Sequence, residues 1–331
     1  MPEFAVEALN IVRTFNEGQV RALDDVTLHV PQGQVFGLLG PNGSGKTTMV
    51  RILSTILLPS SGSATVNGID VVKHPDRVRR SIGLAGQYAT VDENLTGSEN
   101  LRMIGSLNHL EKNFVNPRTK ELLEQFGLTD AANRSVKTYS GGMRRRLDLA
   151  AALVAKPPLL FLDEPTTGLD PQSRQDLWAI IEELVEEGTT VLLTTQYLEE
   201  ADRLAKQLVV LDHGTIIAEG TSQQLKTRLG NTVLAITFLN VADAKRGAQL
   251  IADISSLPAN VDGTVVEFTV DRGPAAAADA LRRIDAANIA LAGLTIREPS
   301  LDDVFLSLTG HKAEEPTPSA DDERPTRKAS A

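Results

Sequence analysis

Nine residues, Gly40-Pro41-Asn42-Gly43-Ser44-Gly45-Lys46-Thr47-Thr48, constrain this chain more than any other stretch. They follow an apolar run, Val35-Phe36-Gly37-Leu38-Leu39, and lead into a helix-like segment from Thr47 to Leu57. Glycines at 40, 43 and 45 let the backbone curl with its N–H groups facing inward, and the helix behind them adds the positive end of its dipole. The product is a cradle for phosphate. Lys46 is placed to reach the β- and γ-phosphates of a nucleoside triphosphate as a point charge, and the Thr47 hydroxyl to join the shell of a Mg²⁺ ion. A chance match to G-x-x-x-x-G-K-[ST] arises roughly once in a hundred chains of this length.

A length of 331 residues points to about two domains, each able to bury a core. The absence of cysteine excludes disulfides, zinc-thiolate sites and cysteine nucleophiles, and fits a reducing cytoplasm. No apolar run approaches the ~20 residues of a spanning helix, and Met1 to Glu7 lacks a basic leader, so a membrane role requires a partner that supplies the membrane segments. With 33 Lys and Arg against 43 Asp and Glu, the formal charge of −10 argues against broad nucleic-acid binding.

Two alternating segments, 4–15 and 22–30, read as strands joined by Asn16-Glu17-Gly18. Phe15 ends the first; its ring is placed either to stack on an adenine or to fill a turn. Strand 81–86 delivers Gln87 into a loop, and residues 88–156 turn helical, an insertion in an α/β core. Within that insertion Ser140 is a natural helix cap, and Gly141 and Gly142 leave the first helical N–H groups open to an anion. The helix is expected to run to Lys156. Arg144-Arg145-Arg146 reads as a solvated helix face that also makes this helix start electropositive.

Leu159-Leu160-Phe161-Leu162-Asp163-Glu164 is a continuous apolar strand ending in two carboxylates, the pattern of a central parallel strand. Beside a phosphate loop, Asp163 is the candidate to hold Mg²⁺ and Glu164 the candidate to accept a proton from an attacking water. Asp170 caps a helix with Pro171 at its first position. Strand 190–195 presents Gln196 at its C-terminal end, and His213-Gly214 is a hairpin turn between strands 207–212 and 215–219.

From about Glu3 to Gly220 the chain resembles the nucleotide-binding subunits of ABC transporters. Gly40 to Thr47 matches the Walker A loop, Gln87 the Q-loop, Ser140-Gly141-Gly142 the signature, Leu159 to Glu164 the Walker B strand, Leu169-Asp170 the D-loop, and Gln196 the switch position. The resemblance implies an ABC-type α/β domain over residues 1–230, with an antiparallel β subdomain and a helical part at about 88–156. It implies ATP and Mg²⁺, bound by Gly40 to Thr48 with Phe15 at the base and Thr47, Gln87 and Asp163 at the metal. It assigns catalysis to Glu164, Gln87 and Gln196. It also implies a head-to-tail dimer with a second copy of the chain, in which Ser140, Gly141 and Gly142 clamp the partner's ATP and Asp170 lies in the dimer loop. Tyr139 and Met143 stand where the family usually has Leu and Gln, and Gln196 where it usually has His. Glutamine can donate to a γ-phosphate but cannot titrate, so slow ATP hydrolysis is expected.

Thr194 to Asp202 and Tyr139 to Arg146 look closest to the daunorubicin-resistance type of drug-export ATPase. That implies a peripheral subunit on the cytoplasmic face of the cell membrane, coupled to an integral membrane permease. The alternatives are a soluble ABC-type ATPase acting on nucleic acid or ribosomes, and nucleotide-gated drug sequestration. Residues 231–310 alternate strand and helix as a small α+β domain of the split βαβ kind, with a stripe at Leu281, Ile284 and Ala287. Ser300 caps a last helix with Leu301, Val304, Phe305 and Leu308 on one face, read as packing on its own domain or making a regulatory or dimer contact. The segment 311–331, rich in Pro, Ser, Glu and Asp, is expected to be disordered.

Overall fold

The structure, a computed structural model, describes residues 3–86, 90–227, 232–255, 259–270 and 273–309. The chain divides after Glu219 into two compact units.

In the first unit, β1 (Phe4–Phe15), β2 (Val20–Pro31), β4 (Ser61–Val66) and β5 (Ile69–Asp70) form an antiparallel sheet in the order β2-β1-β4-β5. A second sheet runs β10-β9-β3-β8-β7-β6, built from β3 (Val35–Leu39), β6 (Ile82–Ala85), β7 (Leu159–Asp163), β8 (Thr190–Thr195), β9 (Gln207–Asp212) and β10 (Thr215–Gly220). From β9 to β6 its strands are parallel. Every residue of β3, β7 and β8 is buried, which is why these strands read as unbroken apolar runs rather than alternating ones. Helix α1 (Lys46–Leu53) puts Met49, Ile52 and Leu53 into a core shared with Ile11 and Leu28 of the antiparallel sheet and Phe36, Phe161 and Leu192 of the parallel one. Phe36 and Phe161 have no exposed surface, a burial that stabilises by roughly 2–3 kcal/mol each.

The connections include α2 (Pro75–Arg79) before β6, then the helical part: α3 (Gly97–Leu107), α4 (Lys112–Gln125) and α5 (Gly141–Ala152). Helix α3 opens with a capping box between Thr96 and Glu99. Ser140 caps α5, its hydroxyl accepting from the Met143 N–H at 3.2 Å. Two helices stop earlier than the sequence suggests. Helix α5 ends at Ala152, since Lys156 turns left-handed (φ 50°) just before two prolines, and α1 ends at Leu53 ahead of a left-handed Thr55 (φ 65°). Helix α6 (Pro171–Glu186) and α7 (Leu198–Leu204) complete this unit.

The second unit contains α8 (Ser222–Thr227), β11 (Thr232–Phe238), α9 (Val241–Ile251), β12 (Asn260–Asp262), β13 (Val265–Val270), α10 (Gly273–Ala286), β14 (Leu291–Arg297) and α11 (Leu301–Thr309). The strand order is β12-β13-β11-β14, with β13 lying antiparallel between β11 and β12, so the βαβ unit is split as the pattern predicts. Val266, Phe268 and Val270 meet Ala244 and Ile251 of α9 and Ala277, Ala280 and Ile284 of α10. The buried stripe of α10 is therefore centred on Ala280 and Ile284. Leu281 is 36% exposed, one position around the helix from the expected face, and Leu308 of α11 is 43% exposed. Helix α11 buries Leu301, Val304 and Phe305 and packs on α8. Its first turn is held by Arg297, which donates to both Asp303 oxygens (2.6 and 3.0 Å) and to Glu267 (3.1 Å). The expected disordered tail, 311–331, lies outside the described residues.

Candidate functional site

Register decides what meets at the end of the parallel sheet. Leu39 lies opposite Thr195, and Asp163 opposite Thr194, so β3, β8 and β7 finish side by side. The glycine-rich loop, Gln196 and the acidic pair thus emerge from three adjacent strands at the carboxyl edge, where open α/β sheets bind ligands.

The loop is held tightly from behind. A Cβ on Gly40 would lie 2.2 Å from the Leu211 carbonyl oxygen, and one on Gly45, whose φ is 111°, would lie 2.5 Å from that of Ala22. No larger residue fits either place without moving backbone. Lys46, 3% exposed, donates to the Gly40 and Pro41 carbonyls at 2.8 and 3.0 Å and stands 3.5 Å from Glu164 Oε1. Asn42, Gly43, Gly45, Lys46, Thr47 and Thr48 line a cleft of about 170 Å³ together with Ala22 and Glu164. The Ser44 hydroxyl is buried against this loop with no hydrogen-bond partner, a polar group of the kind a phosphate oxygen satisfies.

Asp163, 4% exposed, accepts from the Thr47 hydroxyl at 3.1 Å and from the Thr194 hydroxyl at 2.5 Å. One hydroxyl and one carboxylate, both hard oxygen donors, therefore converge from the loop and the strand. This set suits a magnesium ion whose remaining positions are filled by substrate phosphates and water. Among the described residues no group of three or more Asp, Glu or His is arranged to hold a metal without such help.

Glu164 follows β7 in a left-handed conformation (φ 50°), a strained choice for a residue with a side chain, costing on the order of 1 kcal/mol. Its N–H donates to both the Thr194 carbonyl and the Thr194 hydroxyl at 3.1 Å. This turn directs its carboxylate into the cleft beside Lys46.

The other described candidates do not line that cleft. Phe15 ends β1 with the Arg13 guanidinium 4.6 Å from its ring centre. Ser140, Gly141 and Gly142 open α5 beside α6, where a Cβ on Gly142 would approach the Ser173 hydroxyl to 2.7 Å. Ser173 is in turn bonded to Asp170, which caps α6 as expected. Gln196 is half-buried after β8, its Oε1 buried without a partner. Gln87 lies outside the described residues.

Two groups escaped the sequence reading. Arg145 is not part of a solvated face: its side chain is 12% exposed, and it donates to main-chain carbonyls around the acidic pair and to Asp148. Burial holds its pKa below the ordinary guanidinium value, with Asp148 opposing, and burial raises that of Asp148 against two bonds from Thr90. The spacing Arg145 to Asp148, one turn apart, was the signal available. Glu200 of α7 is fully buried and accepts from the Trp178 indole at 3.1 Å. Burial raises its pKa, opposed by hydrogen bonds from Thr195 and Trp178.

Residues 23–167 match the ABC transporter family, and residues 220–309 match the C-terminal domain of DrrA1-3-like ATP-binding proteins. The daunorubicin/doxorubicin resistance ATP-binding protein DrrA of Streptomyces peucetius is 47% identical over 95% of both chains. The doxorubicin resistance ATP-binding protein DrrA of Mycobacterium tuberculosis H37Rv is 48% identical over 93% of this chain and 94% of its own. The dimeric post-hydrolysis structure of the ATP-binding cassette MJ0796 with ADP and Pi matches 65% of this chain and 98% of that one, with a TM-score of 0.60 and 26% identity.

Proposed function

The chain belongs to the ATP-binding subunits of ABC transporters and is an ATPase, and on that premise we propose that it drives export of a hydrophobic drug, antibiotic or lipid-like compound through a separate membrane subunit. The observation that carries the chemistry is the meeting of Lys46, Thr47, Asp163 and Glu164 at one cleft. ATP lays its phosphates along the loop from Gly40 to Thr48, where inward N–H groups and Lys46 supply positive charge. Phe15 offers the ring face away from Arg13 to the adenine. Thr47 and Asp163, with Gln87, would hold Mg²⁺, which would supply charge neutralisation for the phosphates. Glu164 accepts a proton as water attacks the γ-phosphorus; the bond to the bridging oxygen breaks and ADP leaves. Gln196 donates a hydrogen bond to the γ-phosphate but carries no proton through the reaction.

The site is completed by a second copy of the chain. Ser140, Gly141 and Gly142 present a capped, anion-binding helix start that lies outside their own chain's cleft, which fits a clamp on the ATP of a head-to-tail partner, with Asp170 in the dimer loop. ATP then favours the closed dimer by mass action, and hydrolysis reopens it. Among the described residues no helix is long and apolar enough to cross a membrane, which supports a peripheral subunit on the cytoplasmic face working through a permease. The relatives' names as resistance proteins support a drug-like cargo.

The decisive variant is Glu164→Gln. It should bind ATP, accumulate as an ATP-dependent dimer by light scattering, and lose steady-state turnover by about 100-fold or more. Turnover at the parent rate would remove Glu164 from the mechanism.

A further inference from the structure

Arg145 stands in a run of three arginines, yet its neighbours do something different. Arg144 is 36% exposed and pairs with Glu93, and Arg146 donates to the Phe126 carbonyl within the helical part. Arg145 points inward and uses every donor it has. Its Nε donates to the Pro165 carbonyl at 2.6 Å. One terminal nitrogen donates to the Gly86 carbonyl at 2.5 Å and to Asp148 Oδ2 at 3.5 Å, and the other to the Asp163 and Glu164 carbonyls at 3.3 and 3.2 Å. Five N–H groups thus meet five acceptors, an arrangement a planar guanidinium can make and an ammonium cannot. Asp148 completes it: its other oxygen accepts from the Thr90 N–H and hydroxyl, both at 2.7 Å.

Two consequences follow from where these acceptors lie. Asp163, Glu164 and Pro165 form the main chain that aims the Glu164 carboxylate, through a left-handed residue that needs support from its surroundings. Gly86 and Thr90 are the described residues on either side of Gln87 in the sequence. Arg145 itself lies just over one helical turn after the Ser140 cap, on the same helix as Gly141 and Gly142.

We infer that Arg145 is a positioning residue that couples the two ATP sites of the dimer, transmitting engagement of the signature segment at one site to the main chain of Gly86 and Glu164 at the other. This rests on the head-to-tail reading above. In that assembly Ser140 touches the partner's ATP while Glu164 acts on its own, and Arg145, inside the helix that Ser140 caps, bonds the main chain of Asp163 and Glu164 directly. The contacts here are to main-chain atoms, so the residue shapes the site without touching substrate.

The test uses the full chain with Arg145→Lys, which keeps the charge and loses the fork. Binding of a fluorescent ATP analogue and KM for ATP should stay within about two-fold, while kcat falls by about 10- to 100-fold and the Hill coefficient for ATP drops toward one. Arg144→Lys, the same exchange at the more exposed neighbour, should leave kcat within about two-fold. If Arg145→Lys does not fold, Asp148→Asn substitutes for it: the amide oxygen still accepts from Thr90, and the same split of kcat from KM is expected. Parallel loss of nucleotide affinity and turnover in these variants would mean general structural support and overturn the inference, as would turnover within about two-fold of the parent. Failure of Glu164→Gln to dimerise with ATP would instead overturn the dimer reading beneath it.

Discussion

Replacing Thr194 by valine removes a single hydroxyl from the middle of the site while keeping its shape. Thr194 has no exposed surface, its hydroxyl donates to Asp163 Oδ1 at 2.5 Å, and it shares the Glu164 N–H with its own carbonyl. The bond to Asp163 is charge-assisted and buried, a class that contributes about 1.5–3 kcal/mol. The Glu164 N–H keeps the Thr194 carbonyl, so that loss adds only a few tenths of a kcal/mol by rough estimate. A total near 2–3 kcal/mol in a unit of this size corresponds to roughly 5–10 °C in melting temperature. Trp178, the one tryptophan of the chain, lies in α6 of the same unit and reports its unfolding by fluorescence. Function should fall further than stability. Asp163 and the Glu164 turn both lose an anchor, so kcat should drop by about ten-fold or more while ATP affinity, set by the loop and Lys46, changes little. Thr194→Ser restores the hydroxyl and loses one buried methyl, about 1 kcal/mol, and should recover most of kcat. A valine variant as stable and active as the parent, or a serine variant as impaired as valine, would refute the assignment of this hydroxyl as the anchor.

Other outcomes follow from groups nearby. Burial raises the Glu200 pKa above its ordinary 4.5. The unfolded chain therefore releases that proton first, and the group's contribution to stability is full below pH 4.5 and declines as pH rises toward the folded value, by up to about 1.4 kcal/mol per pH unit. Glu200→Gln should flatten this decline by one proton in denaturant titrations followed by Trp178 emission, leaving the part due to Asp148, whose pKa burial also raises; equal slopes in parent and variant would contradict it. Gln196→His should add an ionisation near the ordinary histidine pKa of about 6.5 to the pH–rate profile and raise kcat, whereas a parent profile already carrying that step would show that Gln196 does not stand in the imidazole's place.

Much of the site was legible because its chemistry depends on short, local spacing. Glycines at 40 and 45 are forced by contacts with Leu211 and Ala22 that no side chain would survive, and the same glycines mark the loop in the sequence. The acidic pair is announced by the buried strand that carries it, since only a strand covered on both faces reads as Leu159 to Leu162 does. Caps at Ser140 and Asp170 were readable for the same reason, each being a bond across three residues. Helix ends and helix faces were read less well: Leu281 and Leu308 belong to apolar-looking stripes, and tertiary packing chose which of their neighbours to bury.

The sequence by itself determined an ATP-binding α/β chain with a glycine-rich loop, a carboxylate pair ending a buried strand, a capped helix start at Ser140 and a glutamine after the strand 190–195, because each is a pattern within a few consecutive residues. Only the tertiary structure decided that Thr194 anchors Asp163, that Arg145 turns inward to hold four carbonyls, and that Glu200 lies buried against Trp178. These contacts join residues 18 to 59 positions apart; strand register sets Thr194 beside Asp163, and the packing of helices on that sheet and on each other brings the rest together. A charged side chain reads the same in sequence whether it faces water or a row of carbonyls; the difference is burial, and burial is a property of the fold.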